Sequence, residues 1–299
     1  MKIIHKVLFK PWSIVVNYRF KQIAKLLPDS LYLKCAYRTY TGKKLNLNNP
    51  QTFNEKLQWL KIHDRKPFYS VMVDKHSAKK YIAERIGYKY IIPSLGIWNS
   101  FDEIDFSKLP DRFVLKTTHD SGGVVVCSDK NSLDLNSAKN KIECSLKNNY
   151  FYFGREWPYK TVTPQIIAEE YLDDGNGELT DYKVHCFNGV PHMILVCKNR
   201  FKSGGLTEDF FSIEWEHLNV KRPTHKNAEF PIERPKCLEQ MIEISTRLSQ
   251  NIKFLRVDFY FVNGSLYVGE LTFFPASGFQ NFVPEDYDQI LGSYLDLRE

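Results

Sequence analysis

Apolar positions change their spacing along this chain. Over 74–87, "DKHSAKKYIAERIG", Ala78, Tyr81, Ile82 and Ile86 recur at three-and-four intervals and Gly87 follows as a natural stop, which predicts an amphipathic helix. The stretch 49–61, "NPQTFNEKLQWLK", predicts another, with Thr52 and Glu55 at capping-box spacing. From Tyr90 the pattern shortens. "YIIPSLGIW" reads as a short or edge strand, and 113–116 and 124–127 read as strands around a glycine turn. Residues 131–149 predict a helix and 164–172 a strand. Residues 179–200 predict a loop-led hairpin turning at Asn188-Gly189, 235–250 a helix, and 256–275 a hairpin turning near Asn263-Gly264. Strands and helices interleave without regular βαβ repetition, so the expected class is α+β.

With 299 residues, 43% of them hydrophobic, the chain is long enough for a large core and two or three subdomains. Charge refines this picture at one end only. Residues 1–45 hold ten Lys/Arg against a single acid, Asp29, so the net +6 becomes −3 beyond them. Mixed with Ile3, Ile4, Val7, Leu8, Phe9 and Trp12, this basic segment suits an anionic membrane surface or an acidic polysaccharide; it equally suits a helix packed on the body with solvated lysines. No nucleic-acid motif accompanies it, so no nucleic-acid partner is expected. No apolar run is long enough to span a bilayer, and no small-residue cleavage site follows the first residues. The six cysteines (35, 127, 144, 186, 197, 237) form no CxxC pair, which fits reduced thiols in a cytoplasmic protein.

Candidate chemistry centres on "RVDFYFVNGSLYVGELTFFP", residues 256–275. Alternation places Arg256, Asp258 and Tyr260 on one strand face, and Leu266, Val268, Glu270 and Thr272 on one face of the next. A two-residue Asn263-Gly264 loop pairs 262 with 265 and leaves the two acids on opposite faces. A three-residue loop, or a bulge, sets Asp258 across from Glu270. Like charges so opposed repel, and a divalent cation with hard oxygen ligands would relieve the conflict. Arg256, two residues from Asp258 on the same face, offers an ion pair instead. In "KTTHDSGGV", Lys116 ends a strand before Ser121, Gly122 and Gly123, whose backbone N–H groups can approach phosphate; a plain turn, with Asp120 as turn former, reads equally well. Arg200 reads as a solvated strand-face cation.

As an ordered set, "DKHSAKKYIAERIG", "LPDRFVLKTTHDSGG", "IIAEEYLDD", "DYKVHCFNG" and "RVDFYFVNGSLYVGELTFFPASG" resemble the ATP-grasp superfamily, most closely its TupA-like (teichuronopeptide-biosynthesis-like) branch, over about residues 70–292. The resemblance implies an ATP-grasp fold: a basic helical segment over 1–66, a first α+β subdomain over 67–168 with the glycine loop, and a second over 169–299 with the metal-binding hairpin. The two subdomains grip ATP. By the same resemblance Lys116, and less directly Lys75, meet the phosphates, and Ser121, Gly122 and Gly123 close over them. Glu170, Tyr171 and Leu172 meet adenine, and Glu178, or Asp173 or Asp174, binds ribose. Lys183 and Arg256 face the phosphates, and Asp258, Glu270 and Thr272 hold Mg²⁺. Thr272 stands where many relatives have Asn. The first 66 residues are too short for the α/β domain that many ATP-grasp ligases carry there, so this segment, "PASGFQ" (275–280) or a partner must supply substrate contacts.

The resemblance implies an ATP- and Mg²⁺-dependent carboxylate–amine ligase working through an acyl phosphate. Its saccharide or amino-acid substrate would belong to bacterial surface-polysaccharide modification, in the cytoplasm or peripherally at the inner membrane face through residues 1–45. The same residues would serve a sugar kinase, or a nucleotide-binding protein without turnover.

Overall fold

A computed structural model describes residues 11–17, 21–175, 179–200 and 204–298. Its helices are α1 (Lys21–Lys25), α2 (Asp29–Thr41), α3 (Phe53–His63), α4 (Phe68–Val73), α5 (Ser77–Ile86), α6 (Leu135–Leu146), α7 (Phe151–Gly154), α8 (Leu238–Ser249) and α9 (Tyr287–Tyr294). Strands β1 (Ser94–Trp98), β2 (Phe113–Thr117), β3 (Val124–Cys127) and β4 (Ile166–Glu170) form an antiparallel sheet in the order β1-β4-β2-β3. Strands β5 (Asp181–Phe187), β6 (Val190–Lys198), β7 (Thr207–Ser212), β8 (Phe254–Val262) and β9 (Ser265–Thr272) form a second, in the order β7-β6-β5-β8-β9. The fold is α+β, two antiparallel sheets with helices on them. No helix among the described residues is long and apolar enough to cross a membrane.

Local signals explain most elements. The expected capping box starts α3: the Glu55 N–H donates to Thr52 Oγ1 and the Thr52 N–H to the Glu55 carboxylate, an arrangement that stabilises a helix by about 1 kcal/mol. On α8, Leu238, Met241, Ile244 and Leu248 follow helical spacing and are buried with Val257 and Phe259 of β8 in the larger core. On α6, Ala138 and Ile142 do the same over Phe113, Leu115 and Ile166. Strand β7 is not marked by the sequence, because its Glu208 and Asp209 are acids. They are buried in the fold because Arg222 pairs with Glu208, while His217 and Asn227 bond Asp209.

Packing does not follow the expected divisions at 66/67 and 168/169. Helix α3, before the first, shares the core of the five-stranded sheet through Phe53, Leu57 and Leu60. Strand β4 crosses the second and lies whole in the four-stranded sheet. The described part of the basic segment packs on the body through Arg155, only 1% exposed. Its guanidinium pairs with Asp29 at 3.1 Å, donates to the Ala24 carbonyl at 2.7 Å and lies over the Tyr32 ring.

Candidate active site

The Asn263-Gly264 turn has two residues, both with positive φ (49° and 79°), and pairs Val262 with Ser265. That register alone would separate the two acids. Between Phe259↔Val268 and Asp258↔Glu270 it shifts by one, with Gly269 left over as the bulge. A Cβ at 269 would lie 2.7 Å from the Tyr260 ring, so the bulge needs a residue without one. Beyond the bulge the strands form a grid. Lys183, Asp258 and Glu270 oppose one another across β5, β8 and β9, and His185, Arg256 and Thr272 form the next row.

Asp258, 5% exposed, is enclosed by cations. Arg256 grips it with both arms, Nε to Oδ1 at 2.6 Å and Nη2 to Oδ2 at 2.7 Å, and Lys183 Nζ reaches Oδ2 at 2.7 Å. Burial alone would raise its pKa; the two cations hold it below the usual carboxylate range instead. Arg256 Nη2 also donates to Thr272 Oγ1 at 3.2 Å. Glu270 makes no hydrogen bond or ion pair with another described side chain. The ion pair that the sequence allowed between Arg256 and Asp258 therefore exists alongside the opposed acids.

These groups line a cavity of about 1270 Å³ whose other wall is the four-stranded sheet. There Lys116 donates to Glu169 Oε2 at 2.5 Å, and Lys79 reaches Oε1 of the same carboxylate at 2.5 Å. Burial would raise the Glu169 pKa, and the two ammonium groups keep it low. Lys75 donates to the backbone carbonyls of Thr117 (3.2 Å) and Asp120, so its charge braces the glycine loop. Asp120 does more than form a turn: it accepts from the hydroxyls of Thr117 and Ser145 and from the Gly123 N–H. Ser121 and Gly122 face the cavity. So do Glu170, Tyr171 and Leu172, and the Arg112 guanidinium covers the Tyr171 ring at 4.1 Å. Asp173 is bound to Arg112 at 2.6 Å. Glu178 lies outside the described residues.

Over residues 55–296 the sequence matches the profile of the TupA-like ATP-grasp family. The chain belongs to that family. No curated protein matches it. Similar solved structures include a D-alanine–D-alanine ligase from Bacillus anthracis complexed with ATP, at 20% identity and TM-score 0.40, covering 68% of this chain and 55% of that one. The ATP-grasp ligase PsnB complexed with a minimal precursor matches at 11% identity and TM-score 0.38, covering 70% and 55%. N5-carboxyaminoimidazole synthetase from Staphylococcus aureus matches at 17% and 0.39, covering 68% and 44%. This chain thus spans about half the length of those proteins.

The donors present fit the Mg²⁺-nucleotide that an ATP-grasp site implies. Glu270 offers an uncommitted carboxylate, Asp258 a shared one directly opposite, and Thr272 a hydroxyl. Among the described residues no group of three or more His, Cys, Asp or Glu is placed to hold a metal ion by itself. Mg²⁺ is usually held by one or two carboxylates together with substrate phosphates.

Several cavity residues escape sequence reasoning. Asp181 binds Arg200 at 2.6 Å and Lys183 at 3.4 Å, so Arg200, half-exposed as a solvated cation should be, is also anchored at the cavity. The available signal was alternation, which puts Asp181 on the face of Lys183. Lys79, which reaches the cavity residue Glu169, lies on the flank of the apolar stripe of a predicted helix with its side chain only 16% exposed, and Arg222 sits in a loop; neither carries a local mark of its partner.

Proposed function

We propose that this protein is an ATP- and Mg²⁺-dependent ligase that joins a carboxylate to an amine through an acyl phosphate. One observation carries the reading: the bulge at Gly269 brings Glu270 opposite Asp258, beside Lys183 and Arg256, in the cavity that Lys116 and the glycine loop enter from the other sheet. Bound ATP would supply the phosphoryl group and Mg²⁺ the neutralisation of its charge. The chain's own work is positioning and electrostatic stabilisation. Glu270 and Asp258 would hold the cation, and Thr272 would complete that edge. Lys183 and Arg256, whose orientation is set in advance by Asp258, would offset charge developing on the transferred group. Lys116, oriented by Glu169, would meet the phosphates from the opposite wall. Ser121 and Gly122, which line the cavity, would help to exclude the water that hydrolyses an acyl phosphate. A uronic acid or amino acid is the carboxylate we favour, in bacterial surface-polysaccharide modification.

The test is oxygen transfer. Incubation with ATP, Mg²⁺, an amine and an ¹⁸O-carboxylate substrate should place one ¹⁸O in the released phosphate. A stable phospho-sugar would replace the ligase with a kinase, and nucleotide binding without turnover would leave a binding protein.

A further inference from the structure

Lys61 is fully buried, yet no cation-binding carboxylate touches it. Its ammonium donates to Gln58 Oε1 (3.0 Å), the Gly154 carbonyl (2.7 Å), the Ser277 carbonyl (2.8 Å) and Ser277 Oγ (3.1 Å). Three of these are carbonyl oxygens that only accept, so all three N–H bonds of a charged ammonium are used; a neutral amine has two. The turn it holds is unusual. Ala276, Ser277 and Gly278 run left-handed at φ 47°, 54° and 62°, a conformation that strains the two that carry a Cβ. Gly154 presses on the same turn: a Cβ there would lie 1.9 Å from Ser277 Oγ and 3.3 Å from Glu156 Oε1.

A buried charge requires a counter-charge. The nearby carboxylate is Glu156, 3% exposed, whose charged form the Ser277 hydroxyl favours. Lys61 forms no direct ion pair with it and reaches Ser277 Oγ instead. Glu156, Ala276 and Ser277 all line the cavity. The charged groups around Glu156 are Lys61 from α3 and Glu270 and Arg256 from β9 and β8, with Tyr150 and Tyr159 close by. Burial raises the Glu156 carboxyl and lowers the Lys61 ammonium, and the charge of each opposes the shift of the other. The cavity exceeds the upper size of about 1,000 Å³ common for a single small-molecule site, which leaves room for a second substrate.

We propose that Glu156 and the left-handed turn Ala276–Gly278 form the subsite for the amine substrate, and that Lys61 is the positioning residue behind them. This rests on the ligase reading. As the amine nitrogen bonds to the acyl carbon and the carbon–oxygen bond to phosphate breaks, phosphate leaves with the electron pair and the N–H proton passes to the Glu156 carboxylate. Helix α3 and the 275–280 turn, two of the places from which the sequence led us to expect substrate contacts, thereby become part of the site.

The test is calorimetric and precedes any assay of turnover. Wild type, Glu156→Gln, Ser277→Ala and Lys61→Met are titrated with Mg·ADP, then, in its presence, with each common amino acid and ethylamine. Mg·ADP should bind all four about equally. At least one amine should bind wild type and weaken about ten- to a hundredfold in Glu156→Gln, with part of the loss recovered in Glu156→Asp. In Lys61→Met, hydrogen exchange at 276–279 should accelerate while the rest of the chain stays protected. If Lys61→Met does not fold, Ser277→Ala, which removes only the hydroxyl, should still weaken the amine. Failure of Mg·ADP to bind wild type strikes the ligase reading itself. With Mg·ADP bound, no amine binding, or unchanged amine affinity in Glu156→Gln, overturns the subsite alone and leaves Lys61 and Glu156 as a buried pair that holds the fold.

Discussion

Asp258 and Glu270 face each other across one rung of the β8–β9 hairpin, but only Asp258 is committed, to Arg256 and Lys183. Their chemical equivalence in the sequence therefore ends in unequal roles. Glu270→Gln should leave stability within about 0.5 kcal/mol of wild type, because no described partner is lost. It should weaken Mg·ADP at least about tenfold. Thermal unfolding and calorimetry would separate the two effects, and undiminished Mg·ADP affinity would remove Glu270 from the cation site.

Asp258→Asn should behave differently. It leaves Arg256 and Lys183 buried without their shared counter-ion, a change that costs about 3–5 kcal/mol where one partner of a buried pair is removed. Urea denaturation would measure it. A loss as small as that of Glu270→Gln would mean that the cations find other partners.

Gly269 sets which face Glu270 presents. Gly269→Ala must move the Tyr260 ring, whose Cε2 would stand 2.7 Å from the new Cβ, and overpacking of this kind costs about 1–3 kcal/mol. Mg·ADP affinity should fall with stability, whereas Gly122→Ala, which meets nothing within 4 Å, should cost little stability. Equal stability in the two variants would argue against the bulge as a constraint.

Acid sensitivity should come first from His185. Burial, then the Arg256 charge, depress its pKa from 6.5 to about 3. The folded value lies below the unfolded one, so the stabilising contribution is complete above pH 6.5 and is lost as pH falls toward 3. Between pH 7 and 4 that loss is about 3 kcal/mol. Asp258 and Glu169, also depressed, add to it only at lower pH, as the carboxylates themselves take up protons. Denaturation at stepped pH should show this slope in wild type and a flatter one in His185→Gln.

The hairpin shows where sequence reasoning reached its limit. Asn263-Gly264 announced a turn, and Asp258 and Glu270 announced hard-oxygen chemistry. Whether the two acids shared a face depended on one extra residue, and Gly269 carries no mark that distinguishes a bulge from an ordinary strand glycine. Strand β4 poses a different problem. Residues 166–169 are all buried, because the strand lies between β1 and β2 with its faces covered, so alternation could not single out Glu169 as the partner of Lys116. Lys61 is the extreme case: its partners Gly154 and Ser277 lie 93 and 216 residues away.

What the sequence determined by itself is local: helix caps, turn positions, the faces of isolated strands and the kinds of side chain available for chemistry. These follow from backbone sterics and periodicity over a few residues. Tertiary structure decided the register across the Gly269 bulge, the cations that claimed Asp258 and left Glu270 open, and the burial of Lys61 behind a strained turn. Each of those depends on which distant groups share one low-dielectric space, and short-range spacing does not encode that.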